Sequence, residues 1–342
     1  MSRLKLAVSV ERLAFAAPFR IAGYVFEHQD AVVVTLADGA CLGRGEACGV
    51  FFLGENAERM AAVIESHSGA IERGMDRDSL QCLLPPGGAR NALDCALWEL
   101  EAQRTARPVW RLAGLPPPRP LTTTFTLGAE APELMAEGAR RHGGARALKV
   151  KLTGDPALDR ARVAAVRAAR PEVWLGVDAN QAYTLAQLAE LIDMLREARV
   201  DLLEQPVARG QEAGLESIRS EIPIAADESV LTLADVPGLV GRFDVVNIKL
   251  DKCGGLTEGL AMAHAARRLG LKVMVGNMMG SSLAMAPAFV LGQLCDVVDL
   301  DGPTFLAQDR MPGVRYVAGQ ISCADAVWGG PTPVRSSDVV AV

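Results

Sequence analysis

Lysines and carboxylates end successive short apolar runs in the second part of the sequence. In chain order these residues are Lys149, Lys151, Asp178, Glu204, Asp227, Lys249, Asp299 and Asp301. The i, i+2 spacing of the paired residues directs both members of a pair to the same face of a strand. Carboxylates that converge from neighbouring strand ends can bind a cation, and lysines beside them can move protons.

The three single acids indicate a metal site. Asp178, Glu204 and Asp227 end three consecutive runs, and no His or Cys accompanies them. Hard oxygen ligands alone favour Mg²⁺ over zinc. The alternative is that each acid is an ordinary solvated loop residue, but three in register between lysines argue against that. Glu228 follows Asp227 and points the other way in a strand, so we assign it a supporting or structural role.

The lysines indicate proton transfer. The three acid runs separate Lys151 from Lys249, which predicts that the two amines lie on opposite sides of the metal. Lys149 and a nearby dication are expected to lower the pKa of Lys151, which is ordinarily too high for a base at neutral pH. This chemistry suits removal of a proton next to a carboxylate, through an enediolate. Two lysines could invert the carbon, whereas a one-base cycloisomerase or dehydration enzyme would use one and leave the other to neutralise charge.

The elements that must position these residues change character along the chain. Residues 1–115 read as α+β, with alternating strands and helical patterns near 56–72 and 88–107. Beyond a proline-rich linker (115–121), eight apolar runs recur at about the length of one strand plus one helix. They are 124–128, 147–152, 174–180, 200–206, 222–229, 245–250, 271–277 and 297–301. This predicts a (β/α)8 TIM-type barrel. A doubly wound sheet is the alternative, but no glycine-rich phosphate turn follows an early strand.

Composition excludes several partners. The chain has 342 residues, 50% of them hydrophobic, with a net charge of −6, which argues against nucleic acid. Seven scattered cysteines without a CxxC pair argue against a disulfide framework and favour the cytoplasm. The uncharged stretch 273–295 is interrupted by polar residues and glycines, so we expect no membrane span. Assembly into a homo-oligomer is possible, but no pattern decides it.

The motifs KVKL, VDAN, LEQP, ADES and NIKLDKCGGLTE, in this order, resemble the muconate-lactonizing enzyme subgroup of the enolase superfamily. Within it, ARNALDCALWEL and DLDGP are similar to the dipeptide epimerases of the L-Ala-D/L-Glu type. The resemblance implies an α+β capping domain (1–115), a barrel (116–320) and a C-terminal tail (321–342) that returns to the cap. The tail contains Trp328.

The resemblance also implies roles for individual residues. Asp178, Glu204 and Asp227 would bind Mg²⁺. Lys151 and Lys249 would be the acid/base pair, with Lys149 assisting. Asp299 and Asp301 would hold the α-ammonium of a dipeptide, and Thr126 would contact its backbone. Two adjacent carboxylates also suit an ammonium ion on chemical grounds alone, through charge-assisted hydrogen bonds.

The segments expected to contact the substrate's side chain depart from the family's acidic-dipeptide members, which carry basic residues there. Gly23 and Tyr24, Phe52, and Leu283 stand at those positions. A buried carboxylate without a cationic partner is costly. We therefore predict a substrate with a hydrophobic C-terminal residue. Its side chain would be bound among aromatic and apolar residues, namely Tyr24, Phe26, Phe51, Phe52, Leu53 and Met278.

Alternatives remain. Arg20 could serve an acidic side chain, which would make the protein an L-Ala-D/L-Glu epimerase. Other enzymes of the subgroup are N-acylamino acid racemases, o-succinylbenzoate synthases and cycloisomerases. The non-enzymatic alternative is a barrel that only binds dipeptides.

Overall fold

A computed structural model describes residues 3–331. Its strands are β1 (Lys5–Ile21), β2 (Tyr24–Asp38), β3 (Cys41–Ala47), β4 (Leu121–Thr122), β5 (Thr124–Leu127), β6 (Ala147–Lys151), β7 (Trp174–Asp178), β8 (Leu202–Glu204), β9 (Ile224–Ala226), β10 (Val245–Ile248), β11 (Lys272–Val275), β12 (Val297–Val298), β13 (Arg315–Val317) and β14 (Gln320–Ser322). Its helices are α1 (Ala57–Ser66), α2 (Ser68–Glu72), α3 (Arg77–Leu83), α4 (Gly88–Thr105), α5 (Val109–Leu112), α6 (Pro132–Arg141), α7 (Pro156–Ala169), α8 (Leu188–Glu197), α9 (Leu250–Cys253), α10 (Leu256–Arg268) and α11 (Ser282–Gly292).

The N-terminal part of the chain is an antiparallel meander covered by helices. Strands β1, β2 and β3 are neighbours in that order, and α4 packs against β3. The contact is close because Gly43 and Gly45 have no side chains. A Cβ at Gly43 would come within 1.9 Å of the Ala96 carbonyl oxygen, and one at Gly45 within 2.0 Å of the Ala92 carbonyl oxygen. The motif LGRGEA therefore allows the helix to lie directly on the strand.

The second part of the chain forms an eight-stranded parallel sheet in the order β5 to β12. Each of the eight predicted apolar runs contains one of these strands, which confirms the predicted barrel class. The irregular units lie in the middle of the barrel. Short 3₁₀ segments, Glu212–Ser217 and Leu233–Leu239, replace the helices after β8 and β9. The proline at position 237 inside the second segment lacks an N–H and disfavours a regular α-helix there.

Alternation along the strands divides the barrel into layers. Leu148 and Val150 on β6 are buried in the large core between strands and helices, whereas Lys149 and Lys151 lie on the opposite face, in the site cavity. A smaller cluster of Leu202, Ala225, Val245 and Met274 joins Trp174 and Val297. All of these residues except Met274 precede a polar strand end by two or four residues and so lie on the same face as it. The interior therefore has an apolar layer beneath a polar one.

The segment after the barrel contacts the cap. Strand β14 pairs with both β13 and β4, and the indole Nε1 of Trp328 donates to the Arg44 carbonyl oxygen at 2.9 Å. Trp328 is buried. The uncharged stretch near 273–295 forms β11, a loop and the buried helix α11. Among the described residues, no helix has the length and apolarity needed to span a membrane.

Candidate active site

A cavity lies between the cap and the ends of the barrel strands. Its polar side is lined by predicted site residues, namely Thr126, Lys149, Lys151, Asp227, Lys249, Asp299 and Asp301. Its apolar side comes from the cap and two barrel loops.

Strand register brings the three acids together. Lys151 pairs with Asp178 across β6 and β7, and Asp178 pairs with Glu204 across β7 and β8. Asp227 follows β9 directly. One carboxylate oxygen from each acid lies within 4.8 Å of the others, and all three residues are buried. Within the described part of the chain, these residues are the group whose geometry fits a metal ion.

The lysines approach this acid cluster from two sides. Lys151 Nζ lies 2.6 Å from Asp178 Oδ2, and Lys249 Nζ lies 2.6 Å from Asp227 Oδ2. The strands that carry these lysines are separated in the sheet by the three acid-bearing strands. Lys149 Nζ is 2.7 Å from Glu204 Oε2 and 3.2 Å from Asp178 Oδ2. The two lysines therefore flank the carboxylates, and the third sits among them.

The charged groups in this cluster shift one another's pKa. Burial raises the pKa of Glu204 to about 8, and the neighbouring Asp178 adds to that rise. Burial also opposes ionisation of Asp178, but Lys151 and Lys149 outweigh it and lower the pKa of that carboxyl. For Lys249, burial favours the neutral amine, yet Asp227 and Glu204 raise its pKa above the ordinary value. A cation bound to the same carboxylates would compete with the ammonium groups for their charge and so favour a neutral amine.

The balance of charge fits a divalent ion. Together, the acid cluster and its surroundings contain six buried carboxylates and four buried lysines, namely Asp178, Glu204, Asp227, Glu228, Asp299 and Asp301 with Lys149, Lys151, Lys249 and Lys252. When all are ionised, two negative charges remain uncompensated. Unpaired buried charge is costly, and the donor set is oxygen throughout. The residues present therefore fit Mg²⁺, held by Asp178, Glu204 and Asp227.

The paired acids after β12 face the same cavity. Asp299 accepts hydrogen bonds from Thr124 Oγ1 at 2.5 Å and from Lys149 Nζ at 2.8 Å. Asp301 Oδ2 accepts the backbone N–H of Thr126 at 2.6 Å. Burial and the neighbouring Asp299 raise the pKa of Asp301 to about 7. A cationic ligand beside Asp301 would relieve this cost.

The predicted side-chain pocket is placed only partly as expected. Phe51, Phe52 and Met278 line the cavity, whereas Phe26 and Leu53 are not among its lining residues. Tyr24 does not: its ring packs 4.9 Å from that of Phe51, and the residue is 49% exposed. Arg20 does not line it either, because its guanidinium forms an ion pair with Glu130 at 2.7 Å. Leu283 is buried in the barrel core.

The structure adds residues that the sequence analysis missed. The further wall residues are Phe19, Ile21, Gln29, Asn180, Asn277, Met279 and Phe305. Lys252 Nζ contacts Asp227 Oδ1 at 2.6 Å, and Asn247 Nδ2 donates to Glu204 Oε1 at 2.9 Å. The i, i+3 spacing of Lys249 and Lys252 was a signal for the second lysine. No sequence signal indicated the cap residues that line the cavity, because their position depends on how the cap docks on the barrel.

A capped parallel barrel with strand-end acids between two lysines defines an enolase-type enzyme. The sequence matches the family model for the mandelate racemase/muconate lactonizing enzyme N-terminal domain over residues 4–114. It matches the enolase C-terminal domain-like model over residues 132–315. The chain belongs to the dipeptide epimerases of the muconate-lactonizing subgroup of this superfamily, as the following similarities show.

The L-Ala-D/L-Glu epimerase of Escherichia coli K12 is 40% identical over 306 residues, 89% of this chain and 95% of that protein. A hydrophobic dipeptide epimerase of Roseobacter litoralis is 34% identical over 323 residues, 90% of this chain and 93% of that protein. The first relative is named for a dipeptide with an acidic residue and the second for hydrophobic dipeptides.

Two solved structures share the fold. An enolase family member from Agrobacterium tumefaciens, with bound sodium and L-Ala-L-Glu, has a TM-score of 0.92 and 40% identity, covering 95% of this chain and 100% of that one. A dipeptide epimerase from Methylococcus capsulatus, in complex with Mg and L-Arg-D-Lys, has a TM-score of 0.88 and 31% identity, covering 95% and 98%.

Proposed function

We propose that the protein is a Mg²⁺-dependent dipeptide epimerase that inverts the α-carbon of the C-terminal residue. The observation that carries the proposal is the placement of Lys151 and Lys249 against different carboxylates of one acid trio. Mg²⁺ in a homologous dipeptide epimerase supports the choice of metal. A cation on Asp178, Glu204 and Asp227 would supply positive charge beside the substrate's carboxylate, where negative charge builds up as the α-proton leaves.

The two lysines divide the proton transfer. A neutral lysine on one side takes the α-proton, and the C–H electron pair is delocalised into the neighbouring carboxylate. The protonated lysine on the other side then delivers a proton to the opposite face of the same carbon. One proton is taken and one returned, so the product differs from the substrate only in configuration. Lys149, held among three carboxylates, places positive charge close to the reacting group.

The acid pair Asp299 and Asp301 would orient the substrate. We place the dipeptide's N-terminal ammonium against these carboxylates, one of which, Asp301, accepts the backbone N–H of Thr126 in β5. The carboxyl end then extends toward the acid trio, with the peptide unit near Thr126. This orientation puts the C-terminal residue's α-carbon between the lysines, as general acid/base catalysis requires.

We infer a hydrophobic side chain at the epimerised residue. Phe51, Phe52 and Met278 form the apolar side of the cavity with Ile21, and no arginine is among its lining residues in the described chain. Arg20 is paired with Glu130 instead. A glutamate side chain would lose its hydration without gaining a cationic partner.

A dipeptide panel tests both parts of the proposal. Exchange of the α-hydrogen in D₂O, followed by proton NMR, reports epimerisation directly. We expect Mg²⁺-dependent exchange with L-Ala-L-Leu and L-Ala-L-Phe to exceed that with L-Ala-L-Glu. Exchange with L-Ala-L-Glu alone would contradict the apolar pocket but retain the epimerase. A protein that binds these dipeptides without exchange would instead be a binding protein.

We also propose that the enzyme works in the cytoplasm. Its seven cysteines are free thiols, as is usual in a reducing compartment. Cell fractionation with a compartment marker tests the location, and light scattering tests whether the chain forms a homo-oligomer.

A further inference from the structure

One carboxylate, that of Asp251, connects the segment that follows Lys249 to the cap. Asp251 lies in α9, two residues after Lys249, and is buried. Its Oδ1 accepts the backbone N–H groups of Cys48 and Gly49, each at 2.8 Å. Those two residues directly follow β3 and begin the loop that carries Phe51 and Phe52.

The loop is held at its other side within the cap. Gly49 adopts a φ of +72°, which turns the chain into the 3₁₀ segment Phe51–Leu53. Glu55 Oε2 accepts the backbone N–H of Val50 at 2.8 Å. The aromatic wall is therefore fixed to the cap through Glu55 and to the barrel through Asp251.

The burial of Asp251 is costly, which argues that it has a use. Burial raises its pKa to about 7, although the two backbone N–H groups act against that rise. Among residues 3–331, no cation forms an ion pair with it. A buried carboxylate without a cation is a poor source of stability, yet its two hydrogen bonds bridge elements about 200 residues apart in sequence.

We propose that Asp251 is a positioning residue that fixes the Phe51–Phe52 wall relative to Lys249 and thereby determines which side chain the enzyme accepts. The inference rests on the proposed dipeptide epimerase function. The substrates affected are dipeptides whose C-terminal side chain is large and apolar. A dipeptide that ends in alanine does not reach the wall and serves as the internal reference.

The variant Asp251→Ala removes both accepted bonds. We expect KM for L-Ala-L-Phe to rise about tenfold, as the loss of two hydrogen bonds to a charged acceptor allows, with kcat within about twofold. KM for L-Ala-L-Ala stays unchanged. Asp251→Asn keeps an acceptor oxygen and restores the selectivity of the wild type. Asp235→Ala is the matched control, because Asp235 accepts the N–H groups of Leu231 and Thr232 in a loop outside the cavity.

A double-mutant cycle with Phe52→Ala identifies the route of the effect. If Asp251 acts through the wall, Asp251→Ala adds little to the loss already caused by Phe52→Ala. Independent, multiplying losses would overturn the proposal, and so would an equal fall of kcat for every dipeptide. If Asp251→Ala does not fold, Asp251→Asn and Phe52→Ala test the proposal instead. An equal fall of kcat for every dipeptide in Asp251→Asn would then overturn it. Failure of the wild type to exchange any dipeptide contradicts the proposed function instead.

Discussion

Lys151 and Lys249 contact different acids of one cluster, with Asp178 as the partner of the first and Asp227 as the partner of the second, each at 2.6 Å. Glu204 lies on the strand between those two acids. The arrangement gives two amines access to one site from two sides, and it makes the roles of the lysines separable by experiment.

Lys151→Ala and Lys249→Ala should each lower the rate of epimerisation by about 10²–10⁴-fold. The two variants should differ in the α-hydrogen exchange that they retain. Each variant retains a base on one side only, so each should exchange the α-hydrogen of one epimer, and the two variants should prefer opposite epimers. NMR in D₂O with separate L,L and L,D dipeptides measures this. Lys272→Ala, at an exposed position at the start of β11, is the control. The same residual epimer in both variants would contradict a two-base mechanism.

Removal of the divalent ion with EDTA should abolish exchange, and added Mg²⁺ should restore it. Asp178→Asn and Glu204→Gln each remove one carboxylate from the trio that we propose as the metal site. We therefore expect the affinity for Mg²⁺ to fall by about tenfold or more. Isothermal titration calorimetry measures the affinity without relying on activity. Asp193→Asn, on the exposed side of α8, should bind Mg²⁺ like the wild type.

The pKa of Asp301, raised to about 7, predicts how substrate capture depends on pH. In the proposed binding mode the ionised carboxylate attracts the substrate's ammonium, and this form is lost as the pH falls below the raised pKa. We expect kcat/KM to decline about tenfold per unit below pH 7, through KM. Asp301→Asn should remove this limb of the profile together with most of the affinity. An N-acetyl dipeptide, which has no ammonium, should be a poor substrate at every pH, and equal use of it would refute the assignment.

Phe52→Arg should redirect the enzyme toward acidic dipeptides. A guanidinium on the cavity wall could form charge-assisted hydrogen bonds with a glutamate side chain, and we expect kcat/KM for L-Ala-L-Glu relative to L-Ala-L-Leu to rise by about tenfold or more. Leu53→Arg places the same charge on the same turn but outside the cavity lining. An equal change in both variants would show that only overall charge matters.

Trp328→Ala should destabilise the protein by about 3–5 kcal/mol, since it removes a large buried ring and leaves a cavity. The variant also loses the hydrogen bond to the Arg44 carbonyl oxygen, which connects the segment after the barrel to β3. Urea unfolding measures the loss. Trp328→Phe should recover most of the packing but not that bond, so a stability equal to that of Ala would contradict the packing argument.

The sequence by itself determined the barrel and its polar residues. The eight runs and the strand-end lysines and acids follow from the period of two, a local property that a single strand displays, and parallel pairing then aligns the strand ends. The predictions for Asp178, Glu204, Asp227, Lys151 and Lys249 needed no knowledge of how distant segments meet.

Only the tertiary structure decided the apolar wall. Phe19, Ile21 and Phe305 line the cavity, whereas Tyr24 and Arg20 do not. The sequence did not indicate which of these residues would reach the cavity. The difference arises from how the cap docks on the barrel through contacts such as those of Asp251 with Cys48 and Gly49. Such contacts join residues about 200 positions apart, and no local period encodes them.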